Sequence, residues 1–234
     1  MIKRIDWHSH ILPQMDDGSA SVEESLDMLK VLASSGVEAV ALTPHFYPDR
    51  SYPEVFLRDR EESYKKMQAV FFEGMPKLFL GAEVAYFDGI RTCDDMRNLV
   101  IDQTNCLLIE MPMRAWNERM FENILRLAKR IEITPVLAHI DRYFLRKNDW
   151  KLIAHYLDEG GLVQGNADFF VHNRVTERRA LNLFDDGIIQ LLGSDCHNMV
   201  KRPPLIGKAF DVIDQKATAK AVAESNRLIE KLFK

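Results

Sequence analysis

Apolar, β-branched runs alternate with amphipathic stretches from one end of the chain to the other. Seven short runs read as strands: "IKRIDWH", "VEAVALTPH", "KLFLGAEV", "NCLLIEMP", "TPVLAHI", "GLVQGNA" and "IIQLLGSD". Between them the spacing turns helical. Ser21 followed by Glu24 makes a capping box, and Val22, Leu26, Leu29 and Leu32 then recur at helical spacing until Gly36 ends the helix. The stretch from Pro53 to Phe72 is charged on one side and apolar on the other, a surface helix. "ERMFENILRLAKRI" places Phe121, Ile124, Leu125, Ala128 and Ile131 on one face, "DWKLIAHYLDEGG" is amphipathic, and a further helix is expected around Thr176 to Phe184. Strand and helix in regular alternation imply a mostly parallel sheet with helices outside.

Such units form either an open doubly wound sheet or a closed barrel, and the position of the reactive side chains decides between them. The strand ends carry His8 and His10, then His45, Glu83, Glu110, His139, and finally Asp195 with His197. In a β/α barrel the carboxyl ends of all strands converge on one face, where active sites are built. The expected fold is therefore a distorted (β/α)7 barrel.

Composition narrows the class. At 234 residues and 47% hydrophobic content, a single domain over 1–234 is expected, and no apolar run approaches the roughly 18 residues of a membrane span. The start "MIKRIDWHSH" has no apolar stretch of the signal-peptide kind, so a cytoplasmic protein is expected. Cys93, Cys106 and Cys196 are odd in number and widely spaced, which argues against a disulfide framework. A net charge of -4 with interspersed signs gives no basic stripe, so neither nucleic acid nor membrane insertion is expected.

His8 and His10, two apart on a strand, project from one face, and the acidic pair Asp16 and Asp17 follows. Any one of the five strand-end histidines could be an ordinary core residue; their shared position is what points to metal. His155 and His172 lie elsewhere and read as structural or surface residues. Imidazoles and carboxylates without thiolate suit Zn, Mn or Fe, and more ligands than one ion needs imply several ions.

The motifs "DWHSHILPQMDDG", "TPH", "GAE", "LLIEMP", "TPVLAHIDRY" and "GSDCHNMVKRPP" span nearly the whole chain. In that order they resemble the PHP (polymerase and histidinol phosphatase) superfamily, most closely the bacterial manganese-dependent tyrosine-protein phosphatases of capsular and exopolysaccharide synthesis, the CpsB/YwqE type. The resemblance implies a PHP-type distorted barrel holding three divalent ions, manganese with iron or zinc as alternatives. One ion would be held by His8, His10, Asp195 and a bridging Glu83. A second would share Glu83 and add Glu110 and His139, and a third would take Asp17, His45 and His197, with Asp16 the register alternative to Asp17. Arg142 and Arg202 would clamp phosphate, and together with Asp17 form the catalytic set. The substrate implied is phosphotyrosine in a protein, the tyrosine-rich tail of a bacterial autophosphorylating kinase that controls polysaccharide export. A small-molecule phosphoesterase such as histidinol phosphatase would use the same cluster. Two departures stand out: Asp141 replaces a glutamate common at that position, and "FYPDRSYPE" after His45 matches no role.

Cys196 and Arg202 reproduce the C-x5-R spacing of cysteine-dependent phosphatases. The phosphate loop of those enzymes turns through positive φ, which calls for glycine, and "CHNMVKR" has none. Cys196 also lies between Asp195 and His197, so on an extended segment it points away from them. A bystander cysteine is the stronger reading, as against a thiol nucleophile. A non-catalytic binding module that keeps metals only for stability is a further alternative, and a complete ligand set with both arginines argues against it.

Overall fold

The computed structural model describes residues 1–143 and 145–233. In chain order the elements are β1 (Ile5–Ser9), α1 (Val22–Ser34), β2 (Ala39–Leu42), β3 (His45–Phe46), α2 (Pro53–Gln68), β4 (Lys77–Leu80) and β5 (Glu83–Ala85). They continue with β6 (Cys106–Glu110), α3 (Glu118–Ile131), β7 (Thr134–Leu137), α4 (Lys147–Asp158), β8 (Leu162–Asn166), α5 (Ala167–Val171), α6 (Arg174–Asp185), β9 (Leu191–Gly193), α7 (Ile206–Lys216) and α8 (Ala219–Leu232). No described helix is long and apolar enough to cross a membrane.

The described strand pairings are all parallel, in the orders β1-β2-β4 and β3-β5-β6-β7-β8-β9. The two sheets are one wall interrupted twice. The second expected strand breaks at Thr43 and Pro44 into β2 and β3, and the third breaks at Gly81 and Ala82 into β4 and β5. Proline has no N–H to continue a ladder. The halves stay in line because Gly81 N–H donates to the Leu42 carbonyl at 2.9 Å and Glu83 N–H to the Pro44 carbonyl at 3.1 Å. The ring closes where β1 meets the chain after β9: Asp195 N–H donates to the His8 carbonyl at 2.8 Å, and His10 N–H to the Cys196 carbonyl at 2.9 Å. The result is the distorted seven-stranded barrel.

Register explains how apolar wall becomes polar mouth. Ile5 pairs with Ala39 and Asp6 with Val40, but Ser9 pairs with Leu42, so three residues of β1 span two of β2. Such a bulge re-aims the side chains that follow it. Ile5 and Trp7 stay in the apolar barrel interior with Ala39, Ala41, Leu108, Val136 and Leu162, and His8 and His10 then face the same interior one layer higher. The alternate residues, Val40, Leu42, Ile109, Leu137 and Val163, face outward against the helices. There α3 buries Phe121, Ile124 and Leu127, each stabilising the fold by roughly 1.5–3 kcal/mol.

The helical readings hold with shifted ends. In α1 Ser21 Oγ accepts from Glu24 N–H at 3.2 Å, while Glu24 reaches back to Ala20 N–H, one residue beyond the usual capping-box partner. The helix α2 stops at Gln68 rather than Phe72, and the turn that follows packs Phe72 and Met75 against the core. Two helices after β9 were not anticipated. Of these, α8 closes the barrel floor: Ile229 joins the interior cluster, and Phe233 just beyond the helix meets Trp7 and Phe79 with ring centroids 5.5 and 5.3 Å apart.

Candidate metal centre

Every strand-end residue expected to carry chemistry lies at the carboxyl end of the barrel, and the side chains meet. Glu83 is at the centre, 1% exposed. Its Oε2 lies 3.2 Å from His8 Nε2, 3.3 Å from His10 Nε2 and 3.0 Å from His45 Nδ1, and its Oε1 lies 2.8 Å from His139 Nε2. Asp195 Oδ1 is 3.7 and 3.5 Å from the same nitrogens of His8 and His10. Glu110 reaches His139 at 3.6 Å. On the open side Asp17 Oδ1 is 3.4 Å from His197 Nε2 and 3.7 Å from His45 Nε2.

Among the described residues, three sets of donors come close enough together to hold an ion: His8, His10 and Glu83; His45, Glu83 and Glu110; and His10, Asp17, His45 and His197. The donor chemistry fits divalent cations. Glu83 Oε2 is buried and accepts no hydrogen bond, with three imidazole nitrogens around it, an arrangement costly for a bare carboxylate oxygen and natural for a bridging ligand. Asp16 does not face the cluster. Its Oδ2 holds His10 Nδ1 at 2.6 Å and accepts His45 N–H at 2.8 Å, while Oδ1 accepts Gly18 N–H at 2.9 Å. Asp16 thus orients the ring of His10 and leaves its Nε2 toward Glu83. A side chain on Gly18 would run into the His10 carbonyl, which accounts for the glycine of "DDG".

Electrostatics and backbone are both strained here. Burial works against charge on His10, but the hydrogen bond to Asp16 and the nearby Glu83 carboxylate overcome that and push it up to about 10. Burial would raise Glu83 and Asp195, yet the surrounding imidazoles, with Arg142 beside Asp195, hold both carboxyls well below the usual range. His197 is pushed down to about 4 by burial, His10 and Arg202. His139 and Asp195 adopt left-handed φ of 32° and 51°, uncommon for non-glycine residues and frequent at functional sites.

The arginines converge on one carboxylate. Arg142 contacts Asp195 Oδ2, while Arg202 donates to Asp195 Oδ1 at 2.5 Å and sits 2.7 Å from His197 Nε2. They line a polar cavity of about 400 Å³ with Asp141, Asn166, Asp168 and Lys201. Asp141 accepts Asn166 N–H at 2.8 Å, which gives the departing residue a backbone partner.

Two buried amides were not anticipated. Gln164 Oε1 accepts His139 N–H at 2.8 Å and lies 3.2 Å from His8 Nδ1; its Nε2 donates to Asn166 Oδ1 at 3.0 Å, and Asn166 Nδ2 donates to Asp195 Oδ2 at 2.9 Å. This chain of bonds ties three cluster residues together and favours the His8 tautomer that keeps Nε2 free. The available signal was two amides at alternating inward positions in "LVQGN", an otherwise apolar strand. His155 and His172 are exposed and belong to none of these donor sets, although His172 lines the arginine cavity. Cys196 is buried in the apolar layer, where burial and the charge of Asp6 push its thiol far up, an environment that disfavours the thiolate a nucleophile needs.

The family model for capsular polysaccharide synthesis proteins CpsB/CapC matches residues 4–228. The chain belongs to this family. Among its CpsB/CapC relatives, the tyrosine-protein phosphatase CpsB of Streptococcus pneumoniae is 30% identical over 94% of this chain and 93% of its own length. The tyrosine-protein phosphatase YwqE of Bacillus subtilis is 25% identical over 91% of this chain and 84% of its own. The fold matches a crystal structure from work on YwqE and CpsB, described as unique metal-dependent tyrosine phosphatases, with a TM-score of 0.82 at 21% identity, covering 98% of this chain and 94% of the other.

Proposed function

We propose that this CpsB/CapC chain is a metal-dependent phosphomonoester hydrolase acting on phosphotyrosine in proteins, with the tyrosine-rich tail of an autophosphorylating kinase of polysaccharide export as substrate. The observation that carries the reading is the convergence of five imidazoles and four carboxylates in one barrel mouth, with two guanidinium groups beside them. The named activities of the CpsB and YwqE relatives point the same way.

In this reading His8, His10, Asp195 and Glu83 hold one ion, Glu83, Glu110 and His139 a second, and Asp17, His45 and His197 a third. Manganese is the proposed metal; iron and zinc suit the same nitrogen and oxygen donors. Divalent ions held there lower the pKa of a bound water and neutralise charge on phosphoryl oxygens. The chain's own residues do the rest. Arg142 and Arg202 present planar forks of N–H donors to the phosphate oxygens. Asp17, whose side chain is 70% exposed, is the cluster carboxylate that solvent reaches most freely, and it serves catalysis as well as metal holding. Asp16, Gln164 and Asn166 keep the imidazoles and Asp195 aimed.

The test is to assay manganese-loaded protein on a phosphotyrosine peptide, the matched phosphoserine peptide and histidinol phosphate side by side. Phosphotyrosine should be turned over fastest. Faster turnover of histidinol phosphate would move the protein to small-molecule phosphoester hydrolysis.

A further inference from the structure

The segment after His45 is the one motif that the metal cluster leaves without a role. A cavity of about 550 Å³ opens beside Asp17 and His45. Gln14 and Met15 line it from the loop after β1, Tyr47, Arg50 and Ser51 from the loop after β3, and Phe56 from α2. The Tyr47 ring stacks on His45 with centroids 5.0 Å apart and planes 28° apart, and the Arg50 guanidinium lies 4.4 Å from the Tyr47 centroid. An imidazole of the cluster and a cation thus fix the plane of that phenol ring.

The two sides of the mouth offer different side chains. On one side is the cavity lined by Arg142, Lys201 and Arg202, rich in donors for anionic oxygens. On the other is this cavity, where Met15, Tyr47 and Phe56 supply apolar and aromatic surface beside the polar Asp17, Arg50 and Asp59. A phosphoryl group seated between them would send its oxygens toward the arginines and its ester substituent toward Tyr47. We infer that the Tyr47–Ser51 cavity is the subsite for an aromatic ring on the phosphate ester, with Tyr47 as its wall and Arg50 as the brace of that wall. The inference rests on the phosphatase reading above and deepens it: the class selected is aryl over alkyl phosphate monoesters, because only an aryl group has a flat apolar face to bury there.

The test measures Kd by calorimetry for phenylphosphonate and methylphosphonate on the manganese-loaded full chain, with metal content determined for every variant. Phenylphosphonate should bind about tenfold or more tightly than methylphosphonate. Tyr47→Ala should erase that preference, and Ser51→Trp, which fills the cavity, should erase it too while changing methylphosphonate binding by less than about twofold. Equal Kd values for the two phosphonates in the unmodified protein overturn the subsite. So does a preference that survives Ser51→Trp, whatever becomes of Tyr47→Ala. Phosphonates are not hydrolysed, so a ring preference in a protein that fails to turn over phosphotyrosine supports the subsite and counts only against the phosphatase reading.

Discussion

The substitution Gln164→Leu tests how far the cluster depends on residues that touch no ion. Gln164 is fully buried. Leucine keeps most of the volume but removes the acceptor for His139 N–H, the partner of His8 Nδ1 and the donor to Asn166. The buried His139 N–H and the Asn166 oxygen each lose a partner, at about 1–3 kcal/mol apiece, so the metal-free protein should lose roughly 2–6 kcal/mol. The His8 ring is no longer held in one tautomer, and loss of such an orienting partner typically weakens metal binding about 10–100-fold. Gln164→Glu is the contrasting variant: it retains the acceptor for His139 and His8 but sets an oxygen against Asn166 Oδ1. It should keep more metal affinity than the leucine variant. The measurements are urea denaturation of metal-free protein and manganese titration by calorimetry. Manganese affinity in Gln164→Leu equal to that of the unmodified protein would refute the reasoning.

EDTA should abolish hydrolysis and manganese restore it, while Cys196→Ser keeps most activity; a folded, metal-loaded but inactive Cys196→Ser protein would count against a metal mechanism. Glu83→Ala, removing the residue at the centre of the cluster, should eliminate activity and lower bound metal by more than one equivalent, whereas His155→Ala should leave both unchanged; elemental analysis decides. Arg202→Ala should reduce turnover more than metal content, and equal losses in both would assign Arg202 to the integrity of the centre instead. His10 is raised to about 10 in the metal-free protein, above its unfolded value of 6.5. Its contribution to metal-free stability is therefore fully present below pH 6.5 and is lost as pH rises through about 10. Metal must displace that proton, so manganese affinity should rise about tenfold per pH unit near neutrality. Affinity independent of pH in titrations across this range would contradict the assignment of His10 as a ligand.

The order of strands and helices was legible in the sequence because each element buries one face, and burial writes its period into the chain. The cluster was legible for a related reason. A parallel barrel brings all its strand ends to one mouth, so histidines and carboxylates at those ends are brought together by topology alone. What the linear pattern did not contain was anything set by one strand against another. The bulge in β1 depends on register with β2, and the breaks at Pro44 and Gly81 on how two neighbouring strands bend together. Gln164 and Asn166 look like ordinary strand amides until His8, His139 and Asp195, distant in sequence, close around them. Asp16 and Asp17 are adjacent in sequence, and only the fold turns one carboxylate onto His10 and the other toward His45 and His197. Local propensity sets the elements, while hydrogen bonds between distant segments set where each polar atom points, and the chemistry of this site depends on that second set of choices.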